Sequence, residues 1–243
     1  MKLVGIIGYK KSGKTFFITK LAKFLKDKGL KVSILKSIHG GISDKSTDTG
    51  KFLGVSDAVA AITQNGSNFY IKDFVDFDKV LSLIDGDITL VEGFKGRTDY
   101  PRILLFRTEK EIESLSNGLE LAYASLDNYE GKYKPFYPIS EIDRYLPEIA
   151  DLILDKSFKL PGIDCGSCGF PTCHMLGQEI LKGNKSISDC TVLSAKKDVV
   201  LKVDGKVVPL MPFVEDIIKN MTIEALSTLK GIDGKTISLT IKK

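Results

Sequence analysis

The chain has 243 residues, with 35 Lys and Arg against 31 Asp and Glu; the net charge of +4 is mild and spread along the chain, and no dedicated nucleic-acid surface is indicated. Hydrophobic content of 43% and charged content of 27% suit one large globular domain or two to three small ones, and no apolar run is long enough to span a bilayer. Residues 1–5 run straight into a strand without an apolar leader or small-residue cleavage site, so a cytoplasmic protein without structural disulfides is expected.

Leu3, Val4, Ile6 and Ile7 form a short apolar run suited to a buried strand. Gly8-Tyr9-Lys10-Lys11-Ser12-Gly13-Lys14-Thr15 follows and reads G-x-x-x-x-G-K-[ST], a phosphate-binding loop. Residues 16–25 continue with apolar positions at helical spacing. Gly8 and Gly13 let the backbone turn so that successive N–H groups point into one concavity suited to an anion. A helix starting near Gly13 adds its dipole and unpaired amides. In that setting Lys14 reaches the β- and γ-phosphates and the Thr15 hydroxyl ligates Mg²⁺. The bland alternative is a chance glycine-rich turn, which leaves the register of lysine, threonine, strand and helix unexplained.

Gly29 supplies a helix stop, and residues 31–35 alternate as a second strand. That strand ends over residues 36–41, and the segment from there to about residue 52 reads as a long polar loop carrying Asp44, Asp48 and Thr49. Asp48 is a candidate for positioning a metal or a water; the alternative is a solvated loop aspartate, and position alone does not separate the two. His39, at the second strand's end, is a candidate phosphate or substrate contact. Residues 56–63 read as a strand, Phe69 and Tyr70 alternate with polar neighbours, and residues 78–84 look helical. Residues 87–92 form an apolar run that ends in an acid followed by Gly93, the shape of a Walker B strand. Glu92, at its C-terminal end, is the expected magnesium-side acid; Asp87 is a strand-start residue. Strands at 102–107 and 119–124, a helix at 109–115 and a helix at 138–154 interrupted by Pro147 complete the pattern. Strands alternating with helices predict an α/β P-loop NTPase with a mainly parallel sheet over residues 1–158. No N-K-x-D motif is present, so GTP and ATP are not distinguished by base-reading chemistry.

The four cysteines are Cys165, Cys168, Cys173 and Cys190, spaced C-x2-C-x4-C-x16-C, with a helix expected over 175–182. Three thiols on a glycine-rich loop and a fourth brought back by a helix suit a [4Fe–4S] cluster. Four-cysteine zinc is the alternative, but such sites usually carry two C-x2-C knuckles, and one is present here. His174 could replace a cysteine ligand, but its adjacency to Cys173 makes joint ligation awkward and favours a surface or packing role; Lys182 and Lys185 either offset cluster charge or are simply solvated. Residues 159–195 are therefore expected to be a small cluster segment. Residues 196–243 read as a small α+β cap: a hairpin over 199–210 turning at Asp204-Gly205, a helix over 213–229 and a final strand over 236–241.

Residues 8–15, the 36–49 segment with His39 and Asp48-Thr49, and Val91-Glu92-Gly93-Phe94-Lys95 together resemble the MobB family, GTP-binding accessory proteins of molybdopterin-guanine dinucleotide biosynthesis. The likeness covers about the first 155 residues, and V-E-G-F-K is its most telling part. Residues 165–190 resemble a separate small [4Fe–4S] domain seen in corrinoid-linked and electron-transfer proteins, an extension that some MobB-like proteins carry. The resemblance implies a dimeric P-loop protein with weak GTP hydrolysis. It implies Lys14 and Thr15 at the phosphates and Mg²⁺, Asp48 and Glu92 near the metal, and a partner enzyme that transfers GMP to molybdopterin. The chain departs from the family at Ser37, where a histidine is usual, and at Thr47, where a lysine is. A second reading is a nucleotide-gated metallocentre or electron-delivery protein acting on a redox client; a third is a module that holds nucleotide only as a structural ligand.

Overall fold

The computed structural model describes residues 2–38, 48–72, 76–84, 86–194, 198–203, 206–208, 210–229 and 236–241. His39, Asp44, Thr47 and the Asp204-Gly205 turn lie outside them. The chain folds as two compact units, Met1–Lys159 and Leu160–Lys243.

The first unit contains β1 (Lys2–Ile7), α1 (Lys14–Asp27), β2 (Val32–Lys36), α2 (Asp48–Val55), β3 (Ala58–Thr63), β4 (Gly66–Ile71), α3 (Phe77–Leu83), β5 (Ile88–Glu92), β6 (Arg102–Phe106), α4 (Glu109–Leu115), β7 (Glu120–Ser125), β8 (Phe136–Pro138) and α5 (Ile142–Lys156). Six strands form one sheet in the order β2-β5-β1-β6-β7-β8, and every pairing in it is parallel. The central strands are near-continuous apolar runs because helices cover both faces of a parallel sheet. All of β6 is buried, and so are all but the first residue of β1. Helix α1 buries Phe17, Ile18, Leu21 and Leu25, and α5 buries Ile142, Leu146, Ile149 and Ile153, each a helical stripe. Pro147 lies inside α5 without dividing it. It stands in the second turn, so it removes a single amide bond near the helix start. Asp87 accepts a hydrogen bond from the Lys31 amide at 2.7 Å and ties the starts of β5 and β2 together.

Two further details of this unit differ from the sequence expectation. The polar stretch to residue 52 contains the start of α2, with Asp48 in its first turn, where a carboxylate favours the helix dipole. The two strands that follow, β3 and β4, do not join the main sheet but pair antiparallel as a separate hairpin, from Ala58 opposite Ile71 to Thr63 opposite Gly66.

The loop after β5 is fixed by charge. Asp99 is 4% exposed; it accepts from Arg97 Nε at 3.0 Å and pairs with Lys159 at 2.7 Å. Asp78 pairs with the same two cations, at 3.2 and 3.1 Å. Arg102, 1% exposed, donates to the carbonyls of Lys95, Arg97 and Leu115. Burial holds its guanidinium below the usual arginine range. Residues 93–99 are thus held from two sides.

The second unit contains α6 (Cys173–Leu181), a 3-10 turn (Ile187–Asp189), α7 (Thr191–Ser194), β9 (Leu201–Val203), β10 (Lys206–Val208) and α8 (Pro212–Ser227). The short strands pair antiparallel, as the hairpin pattern predicts. Glu215 of α8 is buried and accepts from the amides of Asp198 and Val199, at 2.7 and 3.0 Å. The strand expected over 236–241 is not formed: these residues are exposed and join no ladder among the described residues. Alternation makes a strand only where a neighbour completes its hydrogen bonds and covers one face.

Candidate functional site

The C-terminal ends of β1, β5 and β2 meet at the glycine-rich loop. Ile6 and Lys36 are both in register with Glu92 on the strand between them. The loop needs its glycines for two reasons. A Cβ on Gly8 would stand 2.5 Å from both the Leu105 carbonyl oxygen and Ser12 Oγ. Gly13 caps α1 at φ 88°, in the left-handed region that side chains disfavour. Lys11 also has positive φ, 66°. Helix α1 starts with no side-chain cap and no acid in its first turn. Its first amides therefore face the loop's concavity without a side-chain partner, the arrangement that binds anions.

Lys10, Lys11, Ser12, Gly13, Lys14, Thr15, Phe16, Lys36 and Glu92 line one pocket of about 380 Å³. Lys14 Nζ donates to the Tyr9 carbonyl of the same loop at 2.7 Å. Burial holds its ammonium below the ordinary lysine range; Glu92 works against that shift, and Lys95 and Lys36 reinforce it. Glu92, with a side chain 13% exposed, pairs with Lys36 at 2.9 Å. Lys95 places its ammonium 3.9 Å from the centre of the Tyr9 ring, and Tyr9 Oη lies 3.1 Å from Ser114 Oγ. Ser12 Oγ is buried with no hydrogen-bond partner among the described residues. Four lysines, free amides, an orphaned hydroxyl and one acid fit a polyphosphate with its Mg²⁺. Lys14 and the loop amides would hold the phosphates, and Thr15 and Glu92 are the oxygen ligands at hand for a hard cation, which Mg²⁺ is.

Of the residues the sequence pattern singles out, the structure brings 10–15 and Glu92 into one pocket, with Gly8 and Tyr9 in the same loop. It does not bring Asp48 to this pocket: Asp48 is 83% exposed in α2 and pairs with Lys51 at 3.1 Å. Lys36 and Phe16 line the pocket, and Lys95 stands over Tyr9 of its loop, without being marked as site residues by the sequence pattern. For Lys36 a signal exists: it ends a strand beside the strand that Glu92 ends.

In the second unit the cysteine loop turns through Gly162, Asp164, Gly166 and Gly169, all at positive φ. Asp164 Oδ1 accepts from the Cys173 amide at 2.7 Å, and Thr172 caps α6 through the Met175 amide. Cys190 is presented by the 3-10 turn, which Ser186 and Asp189 close as a capping box. Cys173 and Cys190 are buried, and Cys165 and Cys168 are partly exposed. Burial pushes the Cys190 thiol up; the Leu193 and Val192 amides oppose this, and the neighbouring Cys173 and Cys168 add to it. Cys168 and Cys173 thus lie near enough to Cys190 to act on it, but among the described residues no three His, Cys, Asp or Glu side chains are gathered closely enough to hold a metal ion. Lys182 and Lys185 pair with Glu179 and Asp189, so their charges are already matched locally.

The parallel sheet and its first loop define a P-loop α/β protein. Residues 3–124 match the family model described as "MobB: Molybdopterin guanine dinucleotide synthesis protein B", and residues 160–192 match one described as "Putative Fe-S cluster". A Methanocaldococcus jannaschii protein described as "Putative molybdopterin-guanine dinucleotide biosynthesis adapter protein" is 26% identical over 99% of this chain and 97% of its own. The Haemophilus influenzae molybdopterin-guanine dinucleotide biosynthesis adapter protein is 31% identical over 62% of this chain and 86% of its own. The crystal structure of a MobB homologue from Bacillus stearothermophilus superposes with a TM-score of 0.50 at 25% identity, covering 63% of this chain and 98% of that one. The chain belongs to the MobB family.

Proposed function

We propose that this protein is a GTP- and Mg²⁺-binding cytoplasmic adapter of molybdopterin-guanine dinucleotide biosynthesis that carries a [4Fe–4S] cluster. Residues 1–158 bind nucleotide, 159–195 hold the cluster and 196–243 form a small cap. The carrying observation is the pocket that joins residues 10–15 to Glu92 at the strand ends. Guanine rather than adenine rests on the family. The partner is the enzyme that transfers GMP to molybdopterin. A second copy of the chain covers the exposed apolar residues Phe52, Val55, Ile62 and Phe69 on α2, β3 and β4.

The test is titration with a fluorescent GTP analogue, followed by anaerobic capture of the GMP-transferring enzyme. Lys14→Ala is expected to abolish nucleotide binding and to leave bound iron unchanged. Undiminished affinity in that variant defeats the phosphate-loop assignment, and failure to retain the GMP-transferring enzyme defeats the adapter role.

The partial exposure of Cys165 and Cys168 favours a second reading, nucleotide-gated electron delivery, because a cluster with a solvent-facing edge can pass electrons to a docked client. In that case nucleotide shifts the cluster's midpoint potential and a redox metalloenzyme is captured instead.

A further inference from the structure

Lys36 and Glu92 end neighbouring parallel strands and stand level in the ladder. The ammonium lies 2.9 Å from Glu92 Oε2, in the pocket that Lys14 and Thr15 also line. The backbone beneath them is held: the Ser37 amide donates to the Glu92 carbonyl at 2.9 Å, and a Cβ on Gly93 would lie 2.9 Å from Ser37 Cβ. The strand ends are tied to each other, so the contact changes through the side chains, of which Lys36 at 44% exposed has more room to move than Glu92 at 13%.

We propose that Lys36 holds, in the nucleotide-free protein, the place on Glu92 that Mg²⁺ takes when nucleotide binds, and that the displaced ammonium then turns to the phosphate oxygens beside Lys14. This rests on reading Glu92 as the magnesium-side acid. A carboxylate already neutralised by an ammonium is a poor ligand for a free dication, and Lys10, Lys11 and Lys14 repel that dication further. A polyphosphate reverses both effects: it cancels the lysine charge and offers Lys36 a new acceptor. Metal and nucleotide therefore enter together, and Lys36 reports that both are present.

The experiment measures the dissociation constant of a fluorescent GTP analogue in EDTA and in Mg²⁺, using the full-length protein, with tyrosine emission as the check of folding. Proteins compared are the wild type, Lys36→Met, Lys36→Arg, Glu92→Gln and the Lys36→Met/Glu92→Gln double variant. If Glu92 is free of Lys36 in about one molecule in ten of the metal-free nucleotide complex, removing Lys36 raises the enhancement by Mg²⁺ by up to about tenfold, less whatever the freed ammonium gains from phosphate in the wild type. Lys36→Met is thus expected to bind more weakly in EDTA and to show that larger EDTA-to-Mg²⁺ ratio. Lys36→Arg, which keeps the charge, is expected to stay at or below the wild-type ratio. The double variant is expected to fall to the low ratio of Glu92→Gln. A folded Lys36→Met whose ratio is unchanged or smaller overturns the proposal, as does a ratio that rises in Lys36→Arg. A wild-type ratio that Glu92→Gln does not alter instead removes Glu92 from the metal side, a separate and prior failure.

Discussion

Replacing Asp99 by alanine tests whether the loop that follows Glu92 is held by charge. Asp99 is 4% exposed and serves Arg97 and Lys159, whose side chains are 27% and 11% exposed. Removing one member of a buried ion pair costs about 3–5 kcal/mol, because the remaining charges keep their desolvation cost without compensation. Asp78, 54% exposed, still reaches both cations, so the expected loss is at the low end, about 3 kcal/mol. For a folding unit of this size that lowers the melting temperature by about 6–12 °C. The assay is unfolding of the full-length chain followed by tyrosine emission. The sequence has eight tyrosines and no tryptophan, and every tyrosine precedes residue 160, so the signal reports the first unit alone. Asp99→Ala combined with Lys159→Met is expected to cost less than the sum of the singles, with a coupling of about 1–3 kcal/mol. A loss below about 1 kcal/mol, or strict additivity, would refute the buried-network argument.

Acid should act through the same residue. Burial alone would raise the Asp99 pKa, but hydrogen bonds from Arg97 and Lys159 outweigh it, so the folded value lies below the ordinary aspartate value. Its contribution is therefore complete above a pH of about 4, the unfolded value, and is lost as pH falls through the lower folded value. Asp99→Asn should flatten that acid limb in urea titrations, and an unchanged limb would rule Asp99 out as its source. Gly8→Ala is expected to cost about 1–3 kcal/mol and most of the nucleotide affinity, because its Cβ would meet the fixed Leu105 carbonyl as well as the adjustable Ser12 hydroxyl. Wild-type affinity in that variant would show that the cradle has slack. The anaerobically purified protein should be brown, and Cys190→Ser should lose most of its iron and visible absorption; a colourless protein with one zinc would replace the cluster with the zinc alternative.

What can be read from the sequence is what is encoded locally. Residues 8–15 bring their own turn chemistry, and Glu92 is marked by the apolar run that ends on it. The helical stripe of α5 is visible even through Pro147. What escapes depends on partners distant in sequence or on weak local signals. Helix α2 contains Gly50 and Gly54, which dilute its propensity, so its sequence reads as loop. Lys159 finds Asp99 and Asp78 only once the sheet has formed, and nothing near residue 159 announces it. For Asp48, position along the chain suggests a loop acid at the site, and the structure places it in α2 beside Lys51.

The contacts of the pocket lysines and of neighbouring Lys95 explain how so positive a loop folds in a structure with no anion bound. Lys14 rests on the Tyr9 carbonyl, Lys36 on Glu92 and Lys95 over the Tyr9 ring, so three ammonium groups sit on acceptors the protein supplies. Lys10 and Lys11 are exposed, and solvent serves them. Binding of a polyphosphate is then an exchange of acceptors, and its affinity is the difference between the new contacts and those given up. Of the contacts given up, the one between Lys36 and Glu92 is a salt bridge whose acid is nearly buried, so it is the one whose removal should register most in binding. The cation–π contact of Lys95 is exposed and worth only about 0.5–1 kcal/mol. On the proposed reading, the same positive surplus would disfavour Mg²⁺ alone and favour a magnesium–nucleotide complex, so that charge balance as much as shape would set the loop's selectivity.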